Sequence, residues 1–495
     1  MGNLVPLGPG AWAFISLYLL SLLVIGWIAR RARREDTLQD FYLAGRGFGF
    51  TVLFLTLFAT QYSGNTFFAF TGATYRIGYA WITSLHFMTT VVICYLIFAP
   101  KLHRLARERG YLTPGDYIQD RFHNKALTLF VTVIMIVVLC NFLLAQLMAM
   151  GRAMQGLAND DGAIAYTGGV IVLALIMVIY GTLGGMRAVA WTDAIQGGVL
   201  AVGFVLLLVM LLERFGPLEQ ATRIIMQADM AGGTRKALPP DAARCREWLS
   251  YILTVGFGIC LYPQAIQRIY AARSSRALRL SLSVMAFMPL PTMIISLVAG
   301  IMALAYIPGL EGASADQIFG RVLREIQLQS ALGYGLVVVT LSAVLAAMMS
   351  TADSALLSIS SMLTKDVCAE NLLPSASQET LTRLGKAFSW FIIVVLIGMA
   401  LLLREKASLV ALMDRKLDLL IQLTPAFMLS LRWRGLLGGP VFAGLVAGVV
   451  IALTLAFGDL SFVIGGKVYG FHPGLVALLP NLAIAIIGSL RQKSD

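Results

Sequence analysis

Between Ser342 and Asp366 the chain reads SAVLAAMMSTADSALLSISSMLTKD, which sets hydroxyls and carboxylates inside a run apolar enough to cross a bilayer. Ser350, Thr351, Ser354 and Ser358 recur at helical spacing, so three or four oxygens fall on one face. That is the coordination a small hard cation such as sodium takes. Asp353 among them strengthens the ion reading, because an acid near mid-bilayer is costly and marks a pathway or an ion site. The alternative is packing glue, since Ser and Thr commonly hydrogen-bond between membrane helices.

The elements that must hold these residues follow from composition. A chain of 495 residues that is 58 % hydrophobic is not a string of soluble domains, and we expect an all-α polytopic membrane protein. Runs of about 20 apolar residues give about 13 transmembrane helices. They lie near 10 to 29, 48 to 72, 79 to 100, 126 to 150, 164 to 184, 193 to 213, 247 to 270, 280 to 307, 333 to 362, 385 to 404, 408 to 431, 436 to 457 and 471 to 490. The basic residues behind the net charge of +12 flank apolar runs, which reads as basic cytoplasmic loops and not as a nucleic-acid surface. One long loop, Arg214 to Arg246, disagrees, being external with an outside amino terminus yet holding six basic residues. With the amino terminus outside, Arg30 to Arg34, Lys101 to Arg109, Arg268 to Arg279, Lys365 to Lys386, Arg432 with Arg434, and Arg491 all fall on the inside, which makes the carboxyl terminus cytoplasmic. The five cysteines show neither CxxC nor zinc spacing. The second span is interrupted at ATQYSGNT from Ala59 and the seventh at Thr254 to Gly258. Breaks five spans apart are what two five-helix halves in inverted topology would show.

Seven segments together resemble the sodium:solute symporter family: FYLAGRGFGF from Phe41, ATQYSGN from Ala59, YLTPGDYIQDRF from Tyr111, YGTLGGMRAVAWTDAIQG from Tyr180, QAIQRIYAARS from Gln264, AAMMSTADSALLSISS from Ala346 and LIQLTPAFMLSLRWRG from Leu420. The resemblance implies a LeuT-type fold with a 5+5 inverted repeat. Its parts would be a first helix and basic loop in 1–46, repeats in 47–215 and 246–434, and peripheral helices in 435–495. It also implies a main sodium site from the carbonyls of Ala59, Tyr62 and Ala347 and the hydroxyls of Ser350 and Thr351. A second sodium site of some members would map to Asp193, Ser350, Asp353 and Ser354; alternatively Asp193 caps the sixth span or pairs with Arg187.

Beside the breaks, the polar side chains available to a solute are Gln61, Tyr62, Asn65, Asn141, Gln146, Thr254, Gln264 and Gln422, with Phe257 and Phe68 as apolar walls. No arginine lies mid-membrane in the fourth span, and a single carboxylate could be held by half-helix amino termini. Gln61 stands where proline-type members carry an aspartate, which argues against proline itself. Asp414, Arg415, Lys416 and Asp418 fall inside an otherwise apolar eleventh span and have no counterpart in the resemblance. The reading is a sodium-coupled symporter in a plasma (inner) membrane, taking up a monocarboxylate, amino acid or polyol, surrounded by lipid and with one chain sufficient. No HExxH or GxSxG motif supports an enzyme. A solute sensor on the same scaffold is the other rival, and counterflow in proteoliposomes separates it from a transporter.

Overall fold

In hydrocarbon every backbone N–H and C=O must find a partner within the chain, so the long apolar runs close into helices. The computed structural model describes residues 7–492 except 34, 63, 158–161, 311–314, 316–317, 405–408 and 459, and in 64–68, 155–157, 162–163, 346 and 409–414 the backbone alone. The main helices are α1 (Pro9–Arg31), α2 (Phe50–Gln61), α3 (Gly64–Ile77), α4 (Thr83–Arg109), α5 (Lys125–Leu157), α6 (Gly162–Phe215), α7 (Ala242–Ile259) and α8 (Pro263–Ala271). They continue with α9 (Ser275–Met285), α10 (Pro289–Tyr306), α11 (Ala331–Met362), α12 (Gln378–Leu402), α13 (Leu409–Leu420), α14 (Gly438–Phe457) and α15 (Pro473–Arg491). Among the described residues the one sheet is a hairpin of β1 (Val463–Ile464) and β2 (Lys467–Val468). Side-chain oxygens start several helices: Asp241 accepts from the Arg244 N–H, Ser330 from Gly333 and Ser377 from Thr380.

Length and hydropathy single out nine membrane-crossing helical runs among the described residues, or ten when α7 and α8, bent by 52°, are taken as one span. Thirteen is not reached by this measure, for reasons visible in the chain. The expected spans 164 to 184 and 193 to 213 run together in α6, which kinks at Gly185 (φ 58°, ψ −148°). Only glycine tolerates that conformation, and a Cβ there would lie 2.4 Å from the Phe41 carbonyl oxygen. The expected span 408 to 431 is divided into α13, a 3-10 turn at Ile421–Leu423 and a π turn at Pro425–Leu429.

The second span breaks where its sequence indicated. Gln61 ends α2, Tyr62 is extended (φ −109°, ψ 92°), and α3 begins at Gly64. The seventh span does not break at Thr254 to Gly258, which is helical; the chain leaves the helix at Cys260 to Tyr262 and restarts at Pro263. Proline has no N–H to continue a helix but suits the first position of a new one. Gly256 and Gly258 are packing positions instead, since a Cβ would meet Thr90 Cγ2 at 2.5 Å and Leu417 Cδ2 at 3.3 Å.

The two broken helices meet at one face. Phe48, just before α2, donates its N–H to the Ala271 carbonyl (3.2 Å) and accepts from the Arg273 N–H (2.9 Å). Thus α2 leads away from this face and α8 leads towards it, so these two helices run in opposite directions. The apolar window of α11 is 76 % buried, against 22 % for α1 and 39 % each for α14 and α15. The α15 helix is nonetheless bonded to the eleventh span: Gly474 N–H donates to Asp418 Oδ1 (2.7 Å), Gln422 Nε2 to the Gly474 carbonyl (2.7 Å) and Asn481 Nδ2 to the Gln422 carbonyl (2.9 Å).

Candidate functional site

The hydroxyl face of α11 turns inward, with Ser350, Thr351, Asp353, Ser354 and Ser358 all buried. Ser350 donates its hydroxyl proton to Asp193 Oδ1, and Thr351 donates to the Ala347 carbonyl at 2.8 Å. Ser354 is within bonding distance of the Ser350 carbonyl (2.7 Å) and Asp353 Oδ1 (3.1 Å), while Ser358 donates to Gln267 Oε1 (2.6 Å). Ala59, Tyr62 and Ala347 are buried as well. Tyr62 N–H closes onto the Phe58 carbonyl at 3.0 Å, and the later carbonyls of α2 have no donor four residues on within that helix. Oxygen donors of this kind suit a hard monovalent cation, and the described residues contain no cluster of three His, Cys, Asp or Glu able to hold a transition metal.

Beside this face lies a residue whose position in the sequence suggests a basic connection. Arg268 is fully buried. Its Nη2 donates to Asp193 Oδ2 (2.7 Å) and Ser354 Oγ (2.5 Å), its Nε to Thr56 Oγ1 (2.8 Å) and its Nη1 to the Gln264 carbonyl (3.1 Å). One guanidinium therefore joins α2, α6, α8 and α11. Thr56 also donates to Asp193 Oδ2, and with Ser350 on Oδ1 both oxygens of that carboxylate are engaged. Asp193 does not pair with Arg187, which binds Asp40 at 2.9 Å. Asp353 accepts the Tyr180 hydroxyl proton at 2.5 Å. A signal for Arg268 was present in the sequence: Pro263 restarts the helix, and a residue less than two turns beyond it is still at membrane depth.

The residues expected to meet a solute are distributed unevenly. Gln146, Thr254 and Gln264 are buried, and both amide atoms of Gln146, the Thr254 hydroxyl and Gln264 Oε1 have no hydrogen-bond partner. Asn141 Oδ1 is also without one. Phe142 stacks on Tyr262 with ring centroids 5.2 Å apart, which brings α5 against the break in the seventh span. Gln61 is half-buried and reaches Met88 Sδ at 4.0 Å, Tyr62 packs on Phe58 at 4.9 Å, and Phe257 is half-buried. Gln422 is drawn away, its amide bound to α15. The side chains of Asn65, Phe68 and Asp414 lie outside the described residues.

Two discontinuous helices running in opposite directions, with a buried hydroxyl face beside them, define a secondary transporter that couples an ion to a solute. The family model "Sodium:solute symporter family" matches residues 41–448, and the chain belongs to that family. It is 25 % identical over 478 residues to the sodium/pantothenate symporter of Escherichia coli (95 % of this chain, 94 % of the relative). It is 26 % identical over 472 residues to the sodium/proline symporter of Salmonella typhimurium (92 % and 90 %). In fold it is similar to a Na+-coupled sialic acid symporter in a substrate-bound outward-open state, with a TM-score of 0.77 at 17 % identity and 97 % of each chain covered. The protein is thus a multi-pass sodium-coupled symporter of LeuT-type fold, not an enzyme, and its cargoes are sodium and a small organic solute.

Proposed function

We propose that the chain carries its solute inward across the plasma (inner) membrane with one sodium ion per cycle, by alternating access between the halves 47–215 and 246–434. The ion is held by the carbonyls of Ala59, Tyr62 and Ala347 and by the hydroxyls of Ser350 and Thr351. What carries this reading is where two protons go: Ser350 gives its own to Asp193 and Thr351 gives its own to Ala347. A hydroxyl whose proton is already placed presents its lone pairs to a cation, and the Ala347 carbonyl keeps a second lone pair. Of the donors to a second sodium, Asp193 and Ser354 are engaged by Arg268 while Ser350 and Asp353 complete the set. We therefore assign the guanidinium as the fixed cation of that position.

The solute lies between the two breaks, among Gln61, Tyr62, Asn65, Asn141, Gln146, Thr254, Phe257 and Gln264. The pantothenate and proline relatives favour a small carboxylate or amino acid over a polyol. The basic clusters at Arg30 to Arg34, Lys101 to Arg109 and Arg491 support an outside amino terminus and a cytoplasmic carboxyl terminus, with 1–46 and 435–495 flanking the repeats. One chain contains every group invoked. Reversal potentials in proteoliposomes test the stoichiometry: one sodium per solute is expected, and two would sink the role given to Arg268. Solute uptake or counterflow indifferent to sodium would sink the coupling itself.

A further inference from the structure

Where α1 ends and α12 begins, three cations gather near one buried ring. The Arg33 guanidinium lies 5.4 Å and the Lys386 ammonium 5.3 Å from the ring centroid of Phe41. Phe41 belongs to the short helix Leu38–Leu43, which is tied to the start of α12 by the Leu38 N–H bonded to Gln378 Oε1 (3.2 Å). Lys386 is half-buried, and the charges of Arg33 and Arg30 both bear unfavourably on its ammonium. Among the described residues neither Lys386 nor Arg30 forms an ion pair.

The acids that reach this group do not balance it. Asp36 stands 2.8 Å from Arg33, and Asp40, 3.9 Å from Arg33, is held by Arg187 at 2.9 Å. Arg30, Arg33, Arg187 and Lys386 therefore meet two carboxylates, which leaves two positive charges over. A half-buried ammonium facing two guanidiniums is unfavourable unless an anion sits among them.

Flanking residues set the height of the group in the bilayer. On α1, Trp27 comes one turn before Arg30 and Arg31, and the Arg31 guanidinium lies 3.7 Å from its ring centroid. On α12, Trp390 comes one turn after Lys386. Because α1 ends here and α12 starts here, both tryptophans stand one turn deeper than the cations. Both are exposed, as are Val24 and Val394 one turn deeper still. Exposed tryptophan marks the headgroup level of a bilayer, so the apolar side chains beyond it face acyl chains.

We propose that Arg30, Arg33 and Lys386 hold the phosphate of an anionic phospholipid in the leaflet that borders this end of α1, the cytoplasmic one in the orientation given above. Arginine and lysine give phosphate charge-assisted hydrogen bonds, and basic pockets between helices at this height suit anionic headgroups. A lipid fits better than a free phosphate, because exposed apolar surface leads from the cations straight into the bilayer. The headgroup supplies the missing negative charge, and its chains lie along Trp27 and Trp390. Since the helix that carries Phe41 is tied to α6 through Asp40 and Arg187, the lipid joins α1, α6 and α12 at one edge.

The test uses the full-length purified protein, with phosphatidylglycerol and chain-matched phosphatidylcholine as probes, read as lipid retained in native mass spectrometry and as the thermal midpoint. Phosphatidylglycerol is expected to bind roughly tenfold or more tightly. Arg30→Gln and Lys386→Gln should each reduce that preference roughly fivefold, and the two together should bring the lipids close to level. Lys386→Arg should keep the preference, and so should Arg276→Gln, which removes an exposed cation from α9. Arg30 is exposed, so its variant decides the matter if Lys386→Gln fails to fold, an unaltered midpoint in phosphatidylcholine being the sign of a folded protein. Equal retention of the two lipids, or a full preference in Arg30→Gln, would overturn the site. Stabilisation by inorganic phosphate or glycerol phosphate at the concentrations where phosphatidylglycerol acts would overturn the lipid in favour of a soluble anion.

Discussion

The Asp193 to Arg268 pair gives the sharpest prediction. Neither side chain has exposed surface, and among the described residues this carboxylate is the one anion bonded to the guanidinium, at 2.7 Å. Asp193→Asn keeps the shape but leaves a buried cation with hydroxyl and carbonyl acceptors only. Removing one partner of a buried pair costs about 3 to 5 kcal/mol. Because Thr56 and Ser350 also lose a charged acceptor here, we expect the upper end of that range, a large share of a typical folding free energy of about 5 to 15 kcal/mol. Arg268→Gln should cost a similar amount by stranding the carboxylate. The double variant, Asp193→Asn with Arg268→Gln, holds two neutral groups that can bond to each other and should recover at least half of either loss. Unfolding titrations of the four proteins in lipid nanodiscs close this cycle. A loss below about 1 kcal/mol for Asp193→Asn, or a double variant as unstable as the two losses added, would refute the assignment of the pair as a structural cation and anion.

Three further outcomes can be checked. Ser350→Ala and Thr351→Ala should each raise the sodium concentration for half-maximal uptake roughly tenfold, with unchanged half-saturation counting against the ion site. Gly185→Ala should lower the thermal midpoint sharply, because it adds a Cβ against the Phe41 carbonyl at a backbone angle reserved for glycine, and an unaltered midpoint would contradict that packing. His472 has its pKa pushed down to about 3 by burial and, next, by the charge of Lys467. Its backbone N–H donates to Ser250 Oγ (2.8 Å), so the Ser250 proton is free to reach Nδ1 (2.7 Å) of a neutral ring. The folded state thus binds fewer protons than the unfolded one. Stability is full above the ordinary histidine value near 6.5 and should fall by up to about 1.4 kcal/mol per unit as the pH drops from there towards 3. His472→Gln should flatten that slope, as measured by thermal unfolding against pH.

The hydroxyl face of α11 was legible in the sequence because polar residues recurring at helical spacing in an apolar run must turn away from lipid, towards a partner inside the protein. The break at Tyr62 was equally plain, since Ser, Gly and Asn interrupt the run together. The second break was misplaced by four to six residues because glycine has two uses in membranes, and at Gly256 and Gly258 it serves close packing. Pro263 carried the true signal. Arg268 was hidden by its neighbours: Arg273, Arg276 and Arg279 follow it towards the aqueous face, and charge counting cannot tell the first of a series from the rest. The bonds from Gln422 to Gly474 and Asn481 join residues more than 50 positions apart, and neither helix carries a pattern that announces the other.

The seam between Phe48 and the end of α8 bears on leakage. Around its two backbone bonds, His103 bonds the Ala272 carbonyl (3.0 Å), Arg107 the Arg273 carbonyl (2.7 Å), and Arg46 the carbonyls of Ala106 and Tyr111 (2.7 and 2.8 Å). Opening this face to water exchanges these bonds for hydration at a net cost of about 0.5 to 1.5 kcal/mol each. Parting the end of α8 breaks the two Phe48 bonds and those of His103 and Arg107, while Arg46 stays on Ala106 and Tyr111. Four such exchanges sum to about 2 to 6 kcal/mol, so the seam stands parted in at most about one molecule in thirty unless cargo binding offsets the difference. A sodium ion arriving without solute would meet a closed door on most occasions, and the gradient would be conserved for productive cycles.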